Sequence, residues 1–273
     1  MLLYEEFDVD KRSARPPSLL NTLTELPRTL LEMGSLLATM PLLSTLPKGD
    51  HHPVLLIPGF MASDYSTMVM RHYLRQMGYQ PLPWRLGRNT GRLQLLEGKL
   101  IPGFERLCRT HSRKISIIGQ SLGGVYAREL ARRFPDNVRQ VITLGSPFGT
   151  RKASSTNPLV AQLFRQQSGM TVEQMRDKFP DMAIGPAVPS TAIFSRGDGV
   201  VNWRVCKEAD GPVTESVEVF GSHCGMAFNP AIYLIVADRL SLREGEWREF
   251  DCGKLGWFSD PSAFGLGVKG FTT

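Results

Sequence analysis

The sequence predicts an α/β fold: a mostly parallel central sheet with helices on both faces and a small helical lid inserted over it. Three observations predict it. Short apolar runs near 53–57, 114–118, 138–144, 191–195 and 216–220 read as strands, with a shorter one near 79–82. Helical patterns over about 64–77, 94–111, 122–134 and 230–240 alternate with them, as a parallel sheet covered on both faces requires. One run, Ile115-Ser116-Ile117-Ile118, passes directly into Gly119-Gln120-Ser121-Leu122-Gly123 and then into a helix. That strand–turn–helix context is the one a G-x-S-x-G nucleophile elbow needs.

Taken in chain order, residues 1–16 are polar and charged, end at Pro16-Pro17, and read as an extended arm. Residues 18–46 place leucine or methionine every three to four positions (Leu19, Leu20, Leu23, Leu26, Leu30, Leu31, Met33, Leu37, Met40), an amphipathic helical spacing. Pro27 can open a second helix there. The segment is expected to pack on the body as a 1–49 N-terminal unit. The alternative is a membrane-interface or substrate-entry element, although its polar face offers only Arg28 as a cation. The body spans 50–240. Asp64 is a plausible N-cap for the 64–77 helix, and Asn229-Pro230 opens the last one. The connection 147–189 is too long for a simple link between a strand and a helix. Leu159, Val160, Leu163 and Phe164 suggest one helix inside it, and Thr171 caps another, so it is read as the lid. The tail, 241–273, carries Trp247, Trp257, Phe258, Phe264 and Phe271 among glycines and is expected to wrap the body.

The elbow supplies the first functional residue. A sharp turn between glycines leaves no room for neighbouring side chains and lifts the Ser121 hydroxyl above the sheet edge. It also aims the backbone N–H of Leu122 at the same point. A serine nucleophile needs a base, and the chain has five histidines. His51 and His52 precede a strand, His72 lies mid-helix and His111 precedes the Ser121 strand. His223, in the glycine-flanked loop Phe220-Gly221-Ser222-His223-Cys224-Gly225-Met226, can swing over the elbow. Asp198 is the first carboxylate after the strand Ala192-Ile193-Phe194 and is the expected acid, with Glu208 and Asp210 as fallbacks. The second oxyanion donor is the N–H of Phe60, or failing that Met61, at the end of Pro53-Val54-Leu55-Leu56-Ile57-Pro58-Gly59. Met61, Phe148 and Met226 are expected to line an apolar acyl pocket, and Gln120, beside the nucleophile, to tune substrate preference.

The blocks PVLLIPGF, ISIIGQSLGG, VITLGSPFGT, IFSRGDGVV and VFGSHCGM resemble the small bacterial triacylglycerol lipases and esterases of the α/β-hydrolase superfamily over about residues 50–240. The resemblance implies the α/β-hydrolase fold and the roles just argued, in the chain order Ser121, Asp198, His223. It also shows departures. Pro58 stands where such lipases usually carry histidine before the glycine, and Gln120 where the family often has histidine.

The reading is therefore a serine carboxylic-ester hydrolase acting on a small-molecule or lipid ester and needing no metal or organic cofactor. A thioesterase, amidase, polyester depolymerase or acyltransferase would use the same groups, and a non-catalytic lipid-binding protein is the alternative from another class. Composition fits: 273 residues, 42% of them hydrophobic, can bury one sizeable core. The net charge of +6 is scattered rather than clustered in a nucleic-acid motif, with Arg128, Arg132 and Arg133 read as a solvated helix face. The acidic start lacks the pattern of a secretory signal, so the expected compartment is cytoplasmic, with peripheral membrane contact conceivable. Reduced cysteines are then expected, a Cys206–Cys224 bridge between the acid and base loops being the alternative.

Overall fold

The computed structural model describes residues 15–149, 155–179 and 181–259, with the side chains of 257–259 left aside. Nearly all of the expected arm at 1–16, Thr150 within the lid connection, the Trp257 and Phe258 side chains, and Phe264 and Phe271 in the tail lie outside the described residues.

The core is a six-stranded sheet in the order β2-β1-β3-β4-β5-β6. The strands are β1 (Pro53–Ile57), β2 (Gln80–Leu82), β3 (Ile115–Gln120), β4 (Val138–Leu144), β5 (Ser190–Phe194) and β6 (Thr214–Glu218), and every neighbouring pair is parallel. Strand pleating sorts their apolar side chains onto two faces. Val54, Leu56, Ile118, Ile142, Leu144, Ile193 and Val217 face one core, shared with α2 (Glu25–Leu43), α3 (Met68–Gln76) and α9 (Pro230–Ser241). Leu55, Ile57, Ile117, Val141 and Ala192 face the other, shared with α5 (Ile101–Thr110), α6 (Leu122–Arg133) and the lid helices α7 (Pro158–Ser168) and α8 (Val172–Asp177). The layered architecture expected from the alternation is what the chain adopts.

Several local expectations are corrected. The first helical segment divides at Thr24 into α1 (Leu19–Leu23) and α2, so Pro27 lies inside the first turn of α2 rather than opening it. Thr67, not Asp64, precedes α3, because the Asp64 carboxylate is taken by the N–H groups of Trp84 and Arg85 at 2.8 and 2.9 Å. The 94–111 helix is broken into α4 (Leu93–Leu95), a π turn at Leu96–Leu100, and α5. Arg128 is not solvated. It is buried, ion-pairs with Glu208 and lies 3.8 Å above the Phe148 ring. The cap of α8 is as read: Thr171 and Gln174 form a reciprocal capping box. All four cysteines are free, so no Cys206–Cys224 bridge ties the loops. Beyond α9, Phe250 and Leu255 are buried in the first core.

Candidate active site

The chain runs from β1 outward to β2, then returns to the other side of β1 to make β3. The order therefore reverses between β1 and β3, and in open α/β sheets ligands bind beyond the carboxyl ends of the strands at such a point. Ser121 follows β3 there, and Pro58-Gly59-Phe60 follows β1. Ser121 takes φ 51° and ψ −123°, a strained conformation that side-chain-bearing residues rarely adopt. Its surroundings enforce it. A Cβ on Gly119 would run into the backbone of Gly123 and Gly124, and one on Gly123 into the carbonyls of Ile57 and Pro58. The elbow is thus wedged against the end of β1, and a Cβ on Gly59 would come within 3.3 Å of Ser121 Cβ. The Ser121 N–H is held by Leu144 O at 2.8 Å, at the end of β4.

Next to Leu144, a Cβ on Gly145 would come within 3.2 Å of Asp198 Oδ2. Asp198 Oδ2 is 2.6 Å from His223 Nδ1, and its Oδ1 accepts from the N–H groups of Val200 (2.8 Å) and Val201 (2.7 Å). Both side chains are buried. Burial opposes charge on His223, but the Asp198 carboxylate, through its charge and hydrogen bond, and Glu25 outweigh it and hold the pKa above the ordinary value. Gln120 Nε2 donates to the His223 carbonyl at 3.1 Å, which ties the residue before the serine to the histidine backbone. The fallback acids are excluded as partners of this imidazole: Glu208 is committed to Arg128 and to Ser190 Oγ, and Asp210 is exposed.

The N–H groups of Leu122 and Phe60 have no hydrogen-bond acceptor among the described residues. Met61 is different. Its N–H is spent on Asn89 O at 2.7 Å, so it does not serve as the alternative donor. Asn89, fully buried, also gives its side-chain amide to Pro58 O (2.9 Å) and its N–H to Ala62 O (2.8 Å). The loop after β1 is therefore set by a residue that sequence reasoning did not single out.

An apolar cavity opens at Ser121, walled by Phe60, Leu122, Val125 and Val201 and by Val160, Phe164 and Met175 of the lid helices. Phe164 touches Phe60 edge-on at 5.2 Å between ring centres, so the lid rests on the residue carrying the expected second donor. Arg176 is the charged residue of the wall; burial, partly offset by Glu173, brings its pKa down to about 10. None of the four residues expected to contact substrate lines this cavity. Phe148 is buried under Arg128, Met226 is buried in the first core beside Gly145, Gln120 is engaged by His223, and Met61 belongs to the Asn89-held loop. Among the described residues, no group of three or more His, Cys, Asp or Glu is placed to hold a metal ion, and no helix is long and apolar enough to cross a membrane.

Neither the protein-family models nor the curated proteins compared with the chain match it. Solved structures do. A Paleococcus ferrophilus monoacylglycerol lipase is similar at 12% identity over 72% of this chain and 96% of its own, with a TM-score of 0.53. A Bacillus licheniformis lipase is similar at 12% identity over 72% and 95%, TM-score 0.54. Aspergillus fumigatus lipase B is similar at 17% identity over 81% of this chain but 63% of its own, TM-score 0.57.

Proposed function

We propose that this chain, which has the α/β-hydrolase fold, is a serine carboxylic-ester hydrolase that takes an apolar acyl group into the cavity above Ser121. The observation that carries the reading is the 2.6 Å contact of Asp198 with His223 Nδ1 at the switch point of the sheet, beside a strained serine at the mouth of an apolar cavity. In this reading Ser121 Oγ attacks the ester carbonyl as His223 Nε2 takes its proton. Asp198 fixes the tautomer that leaves Nε2 free and stabilises the imidazolium. The free N–H groups of Leu122 and Phe60 receive the charge developing on the carbonyl oxygen, each such donor contributing about 3 kcal/mol. His223 then hands its proton to the departing alcohol and activates water to release the acyl group. The wall composition supports an apolar acyl chain. The resemblance to lipases supports an ester rather than another carbonyl substrate.

The test is hydrolysis of p-nitrophenyl esters from acetate to palmitate by the wild type and by Ser121→Ala, with fluorophosphonate labelling of both. The reading expects wild-type turnover that the variant loses, and label on Ser121. No turnover on any ester together with an unlabelled Ser121 would favour a non-catalytic binding protein instead.

A further inference from the structure

The leucine pattern of α2 conceals a polar stripe. Glu25, Arg28, Thr29 and Glu32 sit at i, i+3, i+4 and i+7, one face of a helix, and Leu26, Leu30 and Leu37 point to solvent. The polar stripe meets the two loops that carry Asp198 and His223. Glu25, itself buried, accepts through Oε1 from the N–H of Gly199 (2.8 Å) and of His223 (3.0 Å), and through Oε2 from Cys224 N–H (3.0 Å). One carboxylate thus holds the backbone one residue past the acid and the backbone of the base.

We propose that Glu25 is a positioning residue of the active site, its carboxylate clamping the acid and base loops so that Asp198 and His223 stay in register. The proposal rests on the reading above only in taking these two residues as the working acid and base. Three charge-assisted bonds to one buried carboxylate are strong individually, and they act on loops rich in glycine (Gly197, Gly199, Gly221, Gly225), which lose the most freedom on ordering. The neighbours on the stripe secure the same loop. Glu32 takes the Ser222 N–H and hydroxyl, both at 2.6 Å, Thr29 Oγ1 lies 3.1 Å from that hydroxyl, and Arg28 donates to Gly221 O at 3.2 Å. The approach is so close at Gly225 that a Cβ would overlap the Glu32 carboxylate. Arg28 also pairs with Glu25 at 3.4 Å. No comparable carboxylate bridges the two loops from the sheet side among the bonds of the described residues.

Glu25→Gln tests this. The amide keeps the size but presents an NH2 to one of the three N–H donors. The expected result is a kcat lowered about tenfold with KM within about twofold, the signature of misplaced groups rather than lost substrate binding. The low-field proton resonance of His223 Nδ1–H, which reports the Asp198 bond directly, should shift or broaden. Thr39→Ala is the structural control: Thr39 is buried on the same helix but bonds only to carbonyls of that helix, so its loss should move Tm and neither readout. If Glu25→Gln does not melt cooperatively, Glu25→Asp, whose shorter reach cannot span both loops, carries the test with the same readouts. A folded variant with unchanged kcat and an unchanged resonance overturns the proposal. Absence of wild-type turnover would sink the ester reading alone, since the resonance still decides whether Glu25 positions the pair.

Discussion

The strand β3 has a serine at each end of its apolar run, and each lies near a histidine that contacts an aspartate. Beyond its carboxyl end are Ser121, His223 and Asp198; near its amino end are Ser116, His52 and Asp50. The second trio is fully connected: His52 Nε2 is 2.8 Å from Ser116 Oγ, and His52 Nδ1 is 2.5 Å from Asp50 Oδ1. Yet nothing there can react. Ser116 stays in the ladder, paired with Val54 and with Gln140 just after a register shift, and both it and His52 are fully buried. Ser121 has left the ladder for a strained turn, opens on a cavity and has unengaged N–H groups beside it. The electrostatics differ as well. Burial, reinforced by Arg139 and Arg113 and resisted by Asp50, pushes His52 down to about 4, whereas His223 faces the carboxylates of Asp198 and Glu25 and is held above its ordinary value. Burial works against charge on Asp50 too, but Arg139 and His52 bonds keep it well below the usual carboxylate range. The trio at the amino end is thus a closed and buried packing device, whereas at the carboxyl end, where we propose that the chemistry lies, backbone strain, access and free donors set Ser121 apart.

The largest expected contrast comes from the serines. Ser121→Ala should remove about 10⁴-fold or more of kcat with little change in Tm, while Ser116→Ala should leave kcat within about twofold. Ester turnover and thermal melts of the two variants side by side check this; loss of activity from Ser116→Ala with an intact melt would break the distinction. The acids follow. Asp198→Asn should cost up to about 10⁴-fold in kcat by favouring the wrong imidazole tautomer. Asp50→Asn should be catalytically silent and should instead lower stability, because Arg139 loses its partner at 2.8 Å while remaining buried.

The difference between the two ends also marks what the sequence could reveal. The elbow was legible because its glycines sit at fixed spacing inside an apolar strand, and His223 and Asp198 because each stands on a glycine-rich loop just past a strand. The alternation of elements carried the sheet for the same reason: its signal is periodic and local. Contacts between distant segments carry no such signal. Arg128 reads like its neighbours Arg132 and Arg133 on the helix face, and only the packing of Glu208 and Phe148 against it shows it to be buried. Met226 and Phe148 stand beside expected catalytic segments in the sequence, but their side chains turn into the body and leave the cavity to Phe60, Val125, Phe164 and Met175. Glu25 and Glu32 were hidden by the stronger leucine period of their helix, although their seven-residue spacing was a readable sign of a second face. The Asp50–His52–Ser116 trio had no functional motif to announce it, which is consistent with its role.

A smaller effect sharpens the stability side. Ser116→Ala leaves His52 Nε2 buried without its partner, a penalty of about 1–3 kcal/mol, which should appear as a Tm several degrees lower. His52→Gln, which can still reach neither neighbour with imidazole geometry, should show a drop of similar size, and the double variant should fall short of the sum because the two residues share one bond. Full additivity in denaturant unfolding would mean that this bond contributes nothing.

The most delicate consequence is in pH. The two histidines are shifted in opposite directions, so their contributions to stability have opposite slopes. His52 has a folded pKa of about 4, below its ordinary 6.5. On acidification from about 6.5 the unfolded chain takes up a proton that the folded one refuses, so stability is lost as pH falls toward 4 and no further below it. His223 has a raised folded pKa. Its contribution is complete below 6.5 and disappears as pH rises through the folded value. The proposed reaction needs His223 neutral, so kcat/KM should rise with pH through a value above 6.5, in the same interval where the His223 contribution to stability is released. His52→Gln should therefore flatten the acid side of the stability curve and leave the pH–rate profile in place, whereas Asp198→Asn should move the limb of the profile to lower pH and leave the acid-side slope alone. Denaturant unfolding and kcat/KM, each followed between pH 4 and 9, read the two effects separately. If one variant moved both curves, the two ends of β3 would be coupled, and the division between packing and chemistry drawn from their geometry would not hold.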